Sequence, residues 1–239
     1  FRYMTETSRG RIIGDIVPYD TEADSENQQI DSKNAANNQN LPHIPTTRGQ
    51  AAFLNDTRFT ENLFAHVDAN YVSDYRYLNE YGSPLSLVDR RNIFSQGYLQ
   101  YIGPDGFSAR TTANYYQTID PTIINANAQP YFRLPQVMLN YGHNIMDTGL
   151  MVETPVQFDS FDTEASNKTT GQRVRIRPRL YYPFQSAAGF VTPSVALQYN
   201  QYWLSNPGAW TQQQESAWNA TGGTYSGQTS ASPSMAVPI

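Results

Sequence analysis

Four arginines at every second position, Arg173, Arg175, Arg177 and Arg179 in the stretch QRVRIRPRLYYPF, have the types and spacing for chemistry. In an extended chain alternate side chains share a face, so the four guanidinium groups form one basic stripe. Guanidinium groups bind phosphate and carboxylate through paired hydrogen bonds. The partner is either a bound anion or the surrounding wall. The preceding run offers Glu153, Gln157 and Asp159 on its own polar face. If the connection over 161–171 closes the pair symmetrically, Asp159 falls opposite Arg173 and Glu153 opposite Arg179. Opposite charges placed across two strands support a sheet modestly. This pairing leaves Arg175 and Arg177 unmatched by that strand, so both readings stay open.

Little else has the spacing of a reactive site. His43, His66 and His143 lie far apart and share no metal-ligand spacing. A hydrolase reading would nominate Ser95, His143 and Asp147, and nothing in their spacing favours it. Without cysteine there is no disulfide, thiolate nucleophile or thiolate metal site. The net charge of −5 provides no basic footprint for nucleic acid. No cofactor, metal or catalytic residue is assigned. The acidic run holding Asp20, Glu22, Asp24 and Glu26 is expected to be solvated, with divalent-cation binding as the alternative.

The elements that position these residues follow from period two. Hydrophobic residues make up 39% of the 239 and charged residues 15%, while tyrosine alone contributes 17. Low charge argues against disorder. It suits strands with one apolar face and one polar, mostly uncharged face. Leu63, Ala65, Val67, Ala69 and Tyr71 alternate with Phe64, His66, Asp68 and Asn70. The same pattern recurs around Arg110, Gln136 and Asn140, along the arginine stripe, and up to Asn200. About ten strands are predicted, at 1–7, 11–19, 48–57, 61–72, 91–102, 107–118, 131–142, 149–160, 172–184 and 190–203. No helical stripe of useful length is visible. Short turns (8–10, 58–60, 103–106, 143–148, 185–189) alternate with long segments (20–47, 73–90, 119–130, 161–171, 204 onward). The first of these, DTEADSENQQIDSKNAANNQN, is polar and low in complexity and is expected to be mobile. No apolar run approaches the ~18 residues of a membrane helix, but barrel strands need only about 9–11. Alternating short and long connections are a property of outer-membrane barrels. A soluble all-β protein with one wet sheet face is the alternative. Tyrosines near the ends of apolar spans favour the barrel, because their rings suit a membrane interface.

Several stretches together resemble the barrel domain of the LptD family, the outer-membrane lipopolysaccharide-assembly proteins: FRYMTETSRGRIIGDIVPYD, VSDYRYLNEYG, RLPQVMLNY, VRIRPRLYYPF and SPSMAVPI, in that order along the chain. Met235 and Ala236 stand where an arginine commonly precedes the final Val-Pro-Ile. The resemblance implies transport rather than catalysis; a self-contained outer-membrane barrel acting as a porin or as a hydrolase is the alternative. Lipopolysaccharide would pass from the periplasm to the outer leaflet, with an LptE-like lipoprotein plug in the lumen and an LptA-like periplasmic bridge docked on an N-terminal jellyroll. It further implies a large barrel of about 26 antiparallel strands, at the upper part of the ordinary range. The sequence opens on Phe1 without a signal peptide, so the expectation is an internal barrel segment of a Gram-negative outer-membrane protein, lacking the jellyroll, the first hairpin and the later strands.

In such a wall, buried guanidinium groups facing hydrocarbon would each cost about 2–4 kcal/mol near the midplane. The arginine stripe is therefore expected to face the lumen and to meet lipopolysaccharide, plug or wall carboxylates. The predicted lumen-facing residues are Arg110, Gln136, Asn140, Glu153, Asp159, Arg173, Arg175, Arg177, Arg179 and Asn200. The predicted interfacial aromatics are Tyr71, Tyr75, Tyr77, Tyr81, Tyr101, Tyr115, Tyr141, Tyr199 and Trp203. VSDYRYLNEYG is expected at the outer rim, with Tyr75, Tyr77 and Tyr81 at headgroup level and Asp74, Arg76 and Glu80 in water. Pro18, Pro135, Pro155, Pro178, Pro183 and Pro193 lie in or beside strands. Proline donates nothing to a ladder, so bulges or broken pairing are expected there.

Overall fold

Alternating sequence becomes an antiparallel meander. The computed structural model describes residues 1–82, 91–146, 148–205 and the backbone of 229–236. Among these, the elements run β1 (Arg2–Met4), β2 (Ser8–Val17), α1 (Ala23–Asn37), β3 (Arg48–Arg58), β4 (Leu63–Val72), α2 (Tyr77–Glu80), β5 (Asn92–Ile102) and β6 (Phe107–Thr118). They continue with α3 (Pro121–Asn125), β7 (Phe132–Asn144), β8 (Met151–Glu153), β9 (Val156–Asp162), β10 (Thr170–Ile176), β11 (Arg179–Tyr181), β12 (Phe184–Ser186), β13 (Gly189–Val191), β14 (Ser194–Ser205) and β15 (Thr229–Ala236). Every pairing is antiparallel, and from β1 to β8 each strand pairs with the next in sequence. β8 and β9 both lie along β7, and β10 and β11 both lie along β14. No described pairing joins β1 to β15, so the sheet is an open segment of wall.

β15 forms within the segment from 204 onward, expected as a long connection, and pairs with β14; proline explains the other strands beyond the ten predicted. The expected strand 149–160 is split into β8 and β9 at Pro155, and 172–184 into β10 and β11 at Pro178. Pairing survives across both gaps: Arg177 N–H donates to Pro155 O (3.0 Å) and Leu197 N–H to Pro178 O (3.0 Å). Pro135 sits in a register shift, between Arg133 and Gln136 where β7 meets β9. Pro183 and Pro193 separate the small β12–β13 hairpin from β11 and β14. The first turn also differs from expectation: Arg2 faces Arg11 and Met4 faces Arg9, so the chain reverses over 5–7 rather than 8–10.

The long connections carry all three helices, and an antiparallel meander puts them at one end of the sheet. The 20–47 connection is a correction, because it folds into α1. It lacks an apolar stripe but buries Ala23 and Ile30. Its asparagines do the rest. Asn27 Nδ2 donates to Ile44 O (3.0 Å) while its Oδ1 accepts from Ile44 N–H (2.8 Å). Asn34 makes the same pair of hydrogen bonds with Leu41 (3.1 and 2.9 Å). Seven residues apart on one helix face, the two amides hold the returning chain against α1. α3 starts on a local signal, Asp120-Pro121: Asp120 Oδ1 accepts from the Thr122 N–H (2.9 Å), and proline occupies the first turn.

The buried apolar cluster is small and sits at this rim: Val72, Tyr77, Leu78, Ile93 and Ile119, with Val17 and Tyr75 packed against it. Along the wall Ile12, Ile16, Phe53, Leu99, Leu139, Leu180, Val195 and Leu197 are exposed. An apolar sheet face of that size needs a non-aqueous neighbour.

Candidate functional site

Strand register assembles the polar face row by row. One row runs across nine strands: Arg9, Asp56, His66, Tyr98, Thr112, Gln136, Asp159, Arg173 and Tyr202 stand opposite one another in turn. Directly opposed residues share a face. The next row holds Phe64, Gln100, Arg110, Met138, Gln157, Arg175 and Asn200. A third places Ser108 opposite Asn140 and, through the Pro155 gap, reaches Arg177; a fourth aligns Glu153 with Arg179.

These rows place all ten sequence-nominated polar residues on one face, and the cross-strand matches are those the spacing indicates. Asp159 faces Arg173, and Arg173 Nη2 donates to Asp159 Oδ2 at 2.6 Å. Asp159 also accepts from Gln136 (2.6 Å) and Gln157 (2.9 Å), so this carboxylate is fully used inside the wall. Glu153 faces Arg179, but no ion pair joins them among the described residues; the guanidinium lies 4.9 Å from the Tyr181 ring centroid. Arg175 Nη2 donates to Gln157 Oε1, leaving the rest of its donors unmatched by that amide. Arg110 stacks on Tyr98, 3.9 Å from the ring centroid. A concavity of about 710 Å³ opens over this face, lined by Arg110, Gln136, Asn140, Glu153, Arg175 and Arg177 among others. Asn140 Oδ1 and Arg179 Nε are buried without a hydrogen-bond partner among the described residues. The arrangement offers cations over an open cavity, with no positioned nucleophile among the described residues. Ser95 Oγ is occupied by the Asn70 backbone (2.9 and 3.1 Å), His143 stacks on Tyr141, and Asp147 lies outside the described residues.

The rim holds a second constellation that sequence reasoning missed. Arg48, at the start of β3, is 1% exposed and sits among three carboxylates. Its Nε and Nη2 bind both Asp74 oxygens (2.9 and 2.8 Å), and Nη1 binds Asp20 Oδ2 (2.9 Å) and Glu80 Oε2 (2.5 Å). Arg76 extends the network to Glu80 (2.7 Å) and to Glu26 of α1 (2.9 Å). Asp74 also accepts from the N–H groups of Arg76 and Tyr77 (3.0 and 2.9 Å), which shapes the turn into α2. The hydrogen bond from Arg48 holds the Asp20 carboxyl below the usual carboxylate range, and burial raises the Tyr77 hydroxyl.

This network corrects the rim assignment. Tyr77 is 2% exposed, in the buried cluster and under Arg48, not at headgroup level. Tyr75 packs against the same cluster, and Tyr81, though half-exposed, lays its ring 5.2 Å from the Arg48 guanidinium. Asp74 and Asp20 are buried rather than in water, and Glu26 is ion-paired. The physical reason is one arginine with no other way to be buried: it recruits every nearby carboxylate. The other nominated aromatics stay on the apolar face. Tyr71, Tyr101, Tyr115, Tyr141 and Tyr199 are exposed there, and Trp203 lines a shallow groove with Phe158, Phe161 and Val174.

An antiparallel meander with one polar, arginine-bearing face and one exposed apolar face is a segment of β-barrel wall. The chain belongs to the LptD family: the sequence model described as "LPS transport system D" matches residues 46–238, well over half of it. Among its relatives, the LPS-assembly protein LptD of Methylococcus capsulatus is 38% identical over 211 residues, covering 88% of this chain and 18% of that protein. That of Nitrosospira multiformis is 31% identical over 210 residues (85% and 20%), and that of Aromatoleum aromaticum 28% over 204 (85% and 22%). The chain spans about a fifth of the length of these curated relatives.

Proposed function

We propose that this segment is part of the outer-membrane barrel wall through which lipopolysaccharide passes to the outer leaflet. The apolar face meets lipid and the polar face lines the lumen. The observation that carries the reading is the concavity over the rows of Arg110, Arg175 and Arg177, opposite an exposed apolar face. Lipopolysaccharide is anionic through phosphates and carboxylates, which guanidinium groups bind bidentately. Asp159 neutralises Arg173 within the wall, and this leaves Arg110, Arg175 and Arg177 as the cations lining the concavity. The activity is transport, not catalysis. A lipoprotein plug of the LptE kind would share the lumen, and a periplasmic bridge of the LptA kind would reach the barrel through an N-terminal domain.

Arg175→Gln with Arg177→Gln in the full-length protein tests the reading. The barrel should still assemble, because neither side chain neutralises a wall carboxylate. Lipopolysaccharide arrival at the cell surface should fall several-fold. Unchanged arrival would count against an anion-binding role for this face.

A further inference from the structure

Where β1 meets β2, two like charges stand directly opposite each other: Arg2 faces Arg11. Arg9 lies two residues from Arg11 on the same strand and so shares its face. Arg9 also heads the row that runs on through Asp56 and His66, which places all three guanidinium groups on the polar face of the wall. Like charges directly opposite destabilise a strand pair. A pair that keeps them needs an acid or a bound anion to offset the repulsion.

The wall offers one acid. Arg11 stands between Arg2 and Leu54, with Arg9 and Ile13 beside it on its own strand and Met4, Ala52 and Asp56 on the diagonals. Asp56 is the acid among these, and it is already in use: one oxygen meets His66 Nδ1 at 2.8 Å and the other lies 3.5 Å from Arg9 Nε. Glu6, in the β1–β2 turn, makes no ion pair among the described residues, and Asp68, two strands along, accepts from Asn70 (2.8 Å). Arg2 and Arg11 are exposed, with no hydrogen-bond or ion-pair partner for either side chain among the described residues. Three guanidinium groups against one carboxylate leave a local charge of +2, counting His66 as neutral. A phosphate monoester carries a charge of about −1.5 to −2 and three acceptor oxygens, which fits this group better than a carboxylate with one charge and two oxygens. The cluster is also separate from the concavity. Its nearest arginine there, Arg110 of β6, is four strands from β2, about 19 Å along a wall with ~4.8 Å between strands.

We propose that Arg2, Arg9 and Arg11 form a second anion site on the polar face, built for a phosphate dianion: the phosphate monoester of a glycolipid cargo or the free ion. The proposal rests on the barrel-wall reading above, which makes this the face that cargo meets. The bound phosphate bridges the opposed arginines, so the β1–β2 pair is tightest when the site is filled.

The Ile12 N–H donates to Phe1 O (2.8 Å) beside the arginine pair, and its hydrogen exchange is the readout. It is followed in the full-length protein in detergent micelles, with and without millimolar inorganic phosphate. Phosphate should slow exchange about tenfold, and the effect should vanish in the Arg2→Gln Arg11→Gln variant but persist in Lys33→Gln, the same charge change on α1. Without phosphate, Arg11→Gln alone should slow exchange at Ile12, because a repulsion has gone. Faster exchange would show that a wall acid pairs with Arg11, and overturns the site. A photoreactive residue at 13, on the same face two residues from Arg11, separates the two sources of phosphate. Adducts with lipopolysaccharide that disappear once its phosphate monoesters are removed enzymatically assign the site to cargo. Protection by inorganic phosphate without adducts at 13 assigns it to the free ion. Neither protection nor phosphate-dependent adducts overturns the site; adducts from 177 then leave the barrel-wall reading standing, and their absence overturns both.

Discussion

Arg48 loses water and gains three carboxylates, and the balance of those effects sets what its replacement does. Removing one partner of a buried ion pair costs about 3–5 kcal/mol, because the other charges stay buried and unmatched. Arg48→Ala is therefore expected to speed hydrogen exchange of the amides at the start of β3 by about 100-fold or more, while exchange in the middle of β6 stays unchanged. Arg48→Lys should recover only part, since an ammonium cannot grip both oxygens of Asp74. Acid should act on the same network. The folded Asp20 carboxyl titrates below its unfolded value of about 3.9, so its contribution is present above that value and lost as pH falls through the lower, folded one. Protease resistance of the 20–47 connection should hold from pH 7 to 5 and decline below about 4, and Asp20→Asn should flatten that decline. None of this was legible in the sequence. Asp20, Arg48, Asp74 and Glu80 are scattered over 61 positions (80 − 20 + 1), and only the return of β3 beside the ends of β2 and β4 brings them together.

Elements with a periodic signal were readable, and those held by specific hydrogen bonds were not. Period two located the long wall strands from β2 to β14 but missed β15, and the match of Asp159 with Arg173 followed from counting across one connection. Prolines marked where ladders break, because a missing N–H is a local fact of sequence. α1 left no such trace: its face is secured by the amides of Asn27 and Asn34, and asparagine in a polar run looks like solvent-exposed chain. Asn27→Ala or Asn34→Ala strips partners from two backbone groups and should cost about 1–3 kcal/mol each. Limited proteolysis should then cut first within 38–47. Turns behave likewise. At Gly106, φ is +72° and an added Cβ would lie 2.0 Å from Gly142 O, so Gly106→Val should displace the β5–β6 turn from β7. Loss of exchange protection at Gly142, whose N–H donates to Gly106 O at 3.1 Å, would report it.

At the scale of the whole molecule, two faces of one sheet do different work, and neighbouring residues of β7 test them. Leu139→Arg puts a charge on the apolar face and should weaken folding into bilayers by about 2–4 kcal/mol, measured by urea titration in vesicles. Met138→Arg, one residue away on the polar face, should change it by about 1 kcal/mol or less. Equal losses would mean the faces are not distinguished. The central claim is that lipopolysaccharide moves along the polar face. The most direct measurement is photo-cross-linking in living cells from residues 177 and 197 of the full-length protein, which lie one step apart in height on opposite faces of the wall. The account predicts lipopolysaccharide adducts from 177 and none from 197, where phospholipid is the neighbour. Adducts from 197 alone, or none from 177 while transport continues, would contradict it.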